Sequence, residues 1–174
     1  MKSFLYLILL AYAPDFWSSG ITNACKITID NKEKVRIDDH MQGIWEMAED
    51  TNSHDYLIVE KADDYRYSVT YMNRGGDNRG LEHEEAFMIE VNNTKYLAIS
   101  NWDREYPGWV FLKLNSIGKG SWNITANLAT DKRLKDVKDV KELRELIGAN
   151  INNPSFYGKD LHLKKKFEFN SFGK

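Results

Sequence analysis

The sequence predicts a mainly β fold: an antiparallel up-and-down meander of about eight strands that closes into a barrel, with one α-helix before the last strand. The clearest observation is strict alternation, which places Tyr65, Tyr67 and Tyr71 on one face of an extended segment. Apolar segments of strand length recur with turn residues between them. The period changes to that of a helix only near residue 139. Aromatic residues make up 13% of the chain, which favours strands.

The strands are expected to follow one another in hairpins. Asn92 and Asn93 are placed between two of them as a two-residue turn, because Asn tolerates the positive φ that such turns require. Consecutive hairpins form a meander, and a meander of this length hides its edges best by closing on itself. The predicted strands are residues 43–47, 56–61, 65–71, 85–91, 94–100, 109–114, 122–128 and 161–169.

The late helix has a recognisable beginning. Asp139 can accept a hydrogen bond from the first helical amides, and Glu142 can reach back to complete a capping box. Apolar side chains then recur three and four positions apart, which predicts one buried stripe. The residues of that stripe are Val140, Leu143, Ile147 and Ile151.

The first residues have the layout of an export signal. Lys2 is followed by an apolar run over residues 4–13, which is too short to span a bilayer. Cleavage after Ala24 would leave Cys25 first, and this arrangement resembles a bacterial lipoprotein signal, which implies lipid attachment at Cys25. We therefore expect a membrane-anchored protein of the bacterial cell envelope, facing the periplasm or the cell surface. The alternatives are secretion with an unmodified Cys25, or a retained N-terminus.

This reading divides the chain into a signal peptide over residues 1–24, a tether over residues 25–40 and a single β-barrel domain over residues 41–170. The tether is expected to contain short strands at residues 26–29 and 35–37. A chain of 174 residues fits one domain. Its one cysteine excludes an internal disulfide and a cysteine-based zinc site, and its net charge of −2 does not draw it to nucleic acid.

The Gly43-Ile44-Trp45 triplet opens a strand meander that ends in a helix and a final strand, and it resembles the lipocalin-like, calycin-type barrels. Two other lipocalin signatures, a Thr-Asp-Tyr turn and a late packing arginine, are not found as such. The chain is also similar to uncharacterised bacterial envelope lipoproteins that combine a Gly-x-Trp start, strands like YLIVEK and YSVTY, and an ELR helix before a basic strand. The resemblance covers most of residues 41–166 and implies a barrel; it implies no activity.

Aromatic side chains are the main candidates for a binding site. In barrels of this type the tryptophan plugs the closed end, and tyrosines on one face suggest a lumen of mixed polarity that holds one small ligand. The alternative is a filled core. The candidate ligand-binding residues are Trp45, Tyr65, Tyr67, Tyr71, Trp109 and Phe111.

The sequence offers no catalytic motif, and no cofactor or metal site is predicted. The acidic run over residues 82–85 is interpreted as a solvated strand entry, and the group of Asp38, Asp39 and His40 as a polar turn. The lysines at 164–166 either protect an edge strand or contact anionic lipid or protein.

Three functional hypotheses follow. The first is a non-enzymatic envelope lipoprotein that binds a small amphipathic or lipid-like ligand inside the barrel. The second is a protein-binding module, such as an inhibitor or immunity-type protein, with a filled barrel and an active surface. A hydrolase is the third and weakest. An internal cavity of a few hundred Å³ would favour the first.

Overall fold

The computed structural model describes residues 24–28, 35–47, 56–72, 83–101, 108–117 and 123–169. Eight antiparallel strands follow one another around a closed barrel in sequence order, as the sequence predicts. The strands are β1 (Gly43–Met47), β2 (Tyr56–Lys61), β3 (Tyr67–Met72), β4 (His83–Val91), β5 (Thr94–Asn101), β6 (Gly108–Ile117), β7 (Asn123–Ala129) and β8 (Tyr157–Phe167).

The barrel closes where the first strand meets the last. Trp45 in β1 lies opposite Lys165 in β8, and Met47 lies opposite Leu163, with an irregularity in register between Ile44 and Trp45. Strand β8 also pairs with β7 along its other side. The prediction that the basic run protects an edge is therefore wrong, because β8 is paired on both sides.

Several strand boundaries differ from the prediction, and local hydrogen bonds explain the clearest case. Strand β3 begins at Tyr67 and not at Tyr65. The Asp63 carboxylate accepts hydrogen bonds from the backbone N–H groups of Tyr65 and Arg66, which holds these residues in the turn. The turn at Asn92 and Asn93 is confirmed, with φ of 49° and 62°.

The helix, α1, runs over Val140–Ala149 with Asp139 as its N-cap. The Asp139 side chain accepts from the Glu142 N–H at 2.9 Å, and the Glu142 carboxylate accepts from the Lys138 N–H, one residue before the cap. Of the predicted stripe, Leu143 and Ile147 are fully buried. None of the helices in the described ranges is both long and apolar enough to cross a membrane.

Apolar side chains form two clusters on opposite faces of the barrel wall. The inner cluster fills the barrel with inward side chains from all eight strands, such as Trp45, Val69 and Leu112. The outer cluster lies on the other side of the wall, where side chains of β4, β5 and β6 pack with Leu143 and Ile147 of α1. The helix therefore covers one outer face of the barrel.

The tether contributes one isolated bridge instead of the predicted short strands. Cys25 and Trp109 exchange two backbone hydrogen bonds, of 2.9 and 2.7 Å. The bridge forms beside the first residues of β6, which do not pair with β7, since β6 pairs with β7 only from Leu112 onward. Residues 35–38 form no strand; Asp38 instead caps the 3-10 helix Asp39–Met41, and Ile29 lies outside the described residues.

Candidate functional site

Trp45 fills the end of the barrel at which β1 begins. Its exposed fraction is 1%, and its Nε1–H donates to the Met41 carbonyl oxygen at 2.8 Å. That carbonyl belongs to the 3-10 helix, so the indole fixes the helix across the end of the barrel. The expected plug is thus a buried tryptophan with a satisfied polar atom.

Lys165 lies against the same indole and is the residue that the sequence interpretation missed. Its side chain is 1% exposed, and its ammonium lies 4.7 Å from the centre of the Trp45 ring. The Nζ atom donates to the His40 carbonyl oxygen at 2.5 Å and lies 3.5 Å from a Glu168 carboxylate oxygen. A buried ammonium needs such partners, because its desolvation is costly. The alternation of Leu161, Leu163 and Lys165 in β8 is the sequence pattern that indicates a buried position for Lys165.

Tyr67 is buried beside this end of the barrel. Its hydroxyl accepts from the Asp38 N–H at 2.6 Å and donates to the Asp38 carbonyl at 3.2 Å. Burial raises the pKa of Tyr67 far above its ordinary value of 10.0. The hydroxyl therefore stays protonated and holds the tether in place. Tyr71 is partly exposed and packs against the inner cluster, whereas Tyr65 lies in the turn before β3.

The barrel interior is filled by the described side chains. The void between them has a volume of about 10 Å³ and an entirely apolar lining that includes Trp45, Val69, Leu112 and Leu163. A void of this size is about one water-sized sphere, and dry apolar voids stay empty. A drug-sized ligand needs several hundred Å³. The alternative of a filled core is the one that this geometry favours.

Trp109 and Phe111 lie on the other face of the wall from Tyr67 and Tyr71. Phe111 is fully buried in the outer cluster. Trp109 packs against Phe87, with ring centres 5.0 Å apart. The structure thus divides the six candidate aromatic residues between an inner face, an outer face and a turn, and does not bring them together around one space.

Cys25 belongs to the outer cluster and is fully buried. Burial raises the pKa of its thiol above the ordinary value of 9.0. A Cβ atom on Gly108 would lie 2.6 Å from the Cys25 carbonyl oxygen, so the close approach of the tether requires glycine there. Lipid attachment at Cys25 stays a prediction; it requires the sulfur to leave this position.

Polar side chains make no metal site in the described part of the chain, where no group of three or more His, Cys, Asp or Glu residues converges. His83 instead lies 2.9 Å from the Thr70 hydroxyl, and Asp38 serves as a cap. Glu82 lies outside the described residues. One groove among the described residues is open to solvent and has a volume of about 560 Å³; amide and lysine side chains such as Asn93, Lys95 and Lys113 line it.

The outer surface of β8, β1, β2 and β3 lies on the part of the wall that α1 does not cover. We call it the uncovered face. Its outward side chains are aligned in two cross-strand rows, because directly paired residues point to the same side. One row contains Ile44, Ile58 and the buried Thr70, with Phe167 opposite Ile44 at the irregularity in register; the other contains Lys164, Glu46, Tyr56 and Met72. Phe167 and Met72 are 38% and 42% exposed.

The geometry therefore defines a small closed barrel with a filled interior, one outer face covered by a helix and one outer face with exposed apolar side chains. The chain matches no family model, no curated protein and no solved structure.

Proposed function

We propose that this protein is a non-enzymatic binding module that acts through its outer surface and carries no ligand inside its barrel. The observation that carries the proposal is the filled interior, with its void of about 10 Å³. A carrier barrel must hold its ligand in an enclosed space of several hundred Å³. Because the described interior provides no such space, recognition is assigned to the surface.

The uncovered face is the part of the surface best suited to protein binding. Its apolar members come from four neighbouring strands, and a rigid sheet presents them in fixed positions. Phe, Met and Tyr side chains are enriched in protein interfaces, and on this face Phe167 and Met72 are exposed while Tyr56 is half-buried. The mixed charges of Glu46, Lys164 and Lys166 supply a polar rim.

We also propose a relation to the lipocalin-like barrels. Trp45 of the Gly-x-Trp triplet plugs one end of the barrel, and Lys165 packs on it from the last strand. A late packing arginine, another lipocalin signature, is not found as such in this chain, and the cation that packs on Trp45 is a lysine. The relation rests on this pair together with the strand order.

We keep export as part of the proposal, with residues 1–24 as the signal peptide and the cell envelope as the destination. The proposal includes two forms of the mature protein, one with a lipid on Cys25 and one without. A lipid anchor on Cys25 requires the bridge to Trp109 to open far enough to expose the sulfur. Secretion without lipid needs no such rearrangement. The mass of the processed protein from its own host separates them, since lipidation adds acyl chains to Cys25.

Site-specific photocrosslinking tests the surface. A benzophenone amino acid at Met72, on the uncovered face, should give a defined crosslinked species when the protein is expressed in its own host. The same amino acid at Lys135, an exposed residue before α1, is the matched control and should give none. Equal labelling from the two positions, or no adduct from Met72, would contradict binding through this face. A small molecule that copurifies in stoichiometric amount would instead restore the carrier hypothesis.

A further inference from the structure

We propose that the occupant of the uncovered face is a second copy of this chain. Two barrels would pack β8, β1, β2 and β3 of one against the same strands of the other, around a two-fold axis. This inference rests on the proposed function, because it names the partner for the surface assigned there. A two-fold interface must be complementary to itself, and the charges of the face satisfy that requirement.

The apolar part of the face is a continuous band. Ile44 lies directly opposite Ile58, and Tyr56 lies opposite Met72 in the next row; Phe167 lies opposite Ile44 at the irregularity in register between β1 and β8. Directly paired side chains in neighbouring strands are about 5 Å apart, so Ile44, Ile58, Tyr56 and Met72 form one apolar strip, with Phe167 beside it. A strip on a sheet can pack on its own copy, as the inner faces of two sheets do in a sandwich.

The charges of the face are balanced and separated. Lys166 bonds to Glu46 at 2.6 Å, which neutralises one pair within the chain. Lys164 in β8 and Glu60 in β2 are both exposed, and neither has an ion-pair partner among the described residues. They lie on opposite sides of β1 and on opposite flanks of the strip, with Lys164 opposite Glu46 and Glu60 beyond Ile58 along β2. A two-fold axis near Ile44 therefore brings Lys164 of each copy toward Glu60 of the other.

The size of the face predicts a weak dimer. Four strands spaced about 4.8 Å apart span about 14 Å, and the two rows with their flanking charges span about 13 Å along the strands. The area of the face, which is the product of these two lengths, is well below the roughly 800 Å² per partner of a stable complex. We therefore expect a dimer that forms and dissociates with concentration and not a permanent one.

Charge exchange tests the two-fold arrangement. Sedimentation velocity over an approximately hundredfold concentration range should show a reversible monomer–dimer equilibrium for the full chain. Lys164→Glu and Glu60→Lys should each raise the dissociation constant about tenfold, since two ion pairs per dimer become repulsive. The double variant should restore the original value, which a merely structural effect would not do. Lys132→Glu, at an exposed position before α1, is the control and should change nothing. Ile58→Glu should abolish the dimer, with circular dichroism as the check on folding.

A chain that stays monomeric at every concentration overturns the inference, and so does a dimer that is insensitive to the charge exchange. These results are distinguishable from failure of the proposed function. If the chain is monomeric but Met72 crosslinks to a different protein, surface binding stands and self-association does not. If the chain is monomeric and Met72 gives no adduct, both proposals fail.

Discussion

Replacing Trp45 by phenylalanine tests how the end of the barrel is held together. The substitution keeps an aromatic ring but removes the indole N–H, which is the donor to the Met41 carbonyl at 2.8 Å. It also shortens the ring that faces the Lys165 ammonium at 4.7 Å. Trp109 provides a matched control in the same chain, because it is partly exposed and its indole nitrogen has no hydrogen-bond partner among the described residues.

The expected loss can be estimated contact by contact. Leaving the buried Met41 carbonyl without its donor costs about 1–3 kcal/mol. Weakening the desolvated contact between ammonium and ring costs up to about 1–2 kcal/mol. The smaller ring also leaves a cavity, because Trp45 is 1% exposed and lines the small apolar void inside the barrel. We expect Trp45→Phe to lower the free energy of unfolding by about 2–4 kcal/mol and Trp109→Phe by about 1 kcal/mol or less.

Urea unfolding followed by far-ultraviolet circular dichroism measures both variants without depending on tryptophan fluorescence. In thermal unfolding followed by the same signal, the Trp45 variant should melt about 5–15 °C lower than the unmodified protein, as expected for a domain of this size. Equal losses for the two variants, or a larger loss for Trp109→Phe, would refute the assignment of Trp45 as the plug of the barrel.

Three further substitutions address the core, the closure and the tether. Leu112→Ala should cost about 3–5 kcal/mol in the same unfolding assay, because Leu112 lines the filled interior; a loss below about 1 kcal/mol would indicate a loosely packed barrel. Gly43→Ala should cost about 3 kcal/mol or more, because φ is +142° and the new Cβ would collide with the Phe167 carbonyl; unchanged stability would contradict the β1–β8 register. The Cys25 thiol should react with a maleimide reagent only after unfolding. Burial raises the pKa of the Cys25 thiol above 9.0. The contribution of the buried thiol to the free energy of unfolding is therefore complete below that pH and is lost as the pH rises further. Cys25→Ala should remove this part of the loss of stability at alkaline pH.

Most of the barrel follows from local patterns that the sequence displays. The alternation in β3, the turn at Asn92 and Asn93 and the cap at Asp139 are each decided by neighbours within a few residues. Closure could be predicted because a meander of eight strands leaves two edges that must be paired. Tyr65 shows the limit of the pattern, since the Asp63 carboxylate captures its N–H and keeps it out of the strand.

The candidate site was harder to predict, because it depends on which face of the wall each side chain occupies. Alternation tells that Trp109 and Phe111 share a face, but only the outer packing of α1 reveals that this face is outside the barrel. Lys165 belongs to a run of three lysines, and such a run is typical of a solvated surface. Only the pairing of β8 with β1 places its ammonium against Trp45. The bridge of Cys25 to β6 depends on where the pairing between β6 and β7 ends, which no local pattern indicates.

Native mass spectrometry of the full-length gene product, purified from its own host, tests the filled barrel most directly. We predict a polypeptide that carries no noncovalent small molecule at low collision energy, with dimer present only at high concentration. A stoichiometric small-molecule adduct that is lost when the protein unfolds would show that the interior opens to hold a ligand, and it would contradict a protein that works through its outer surface.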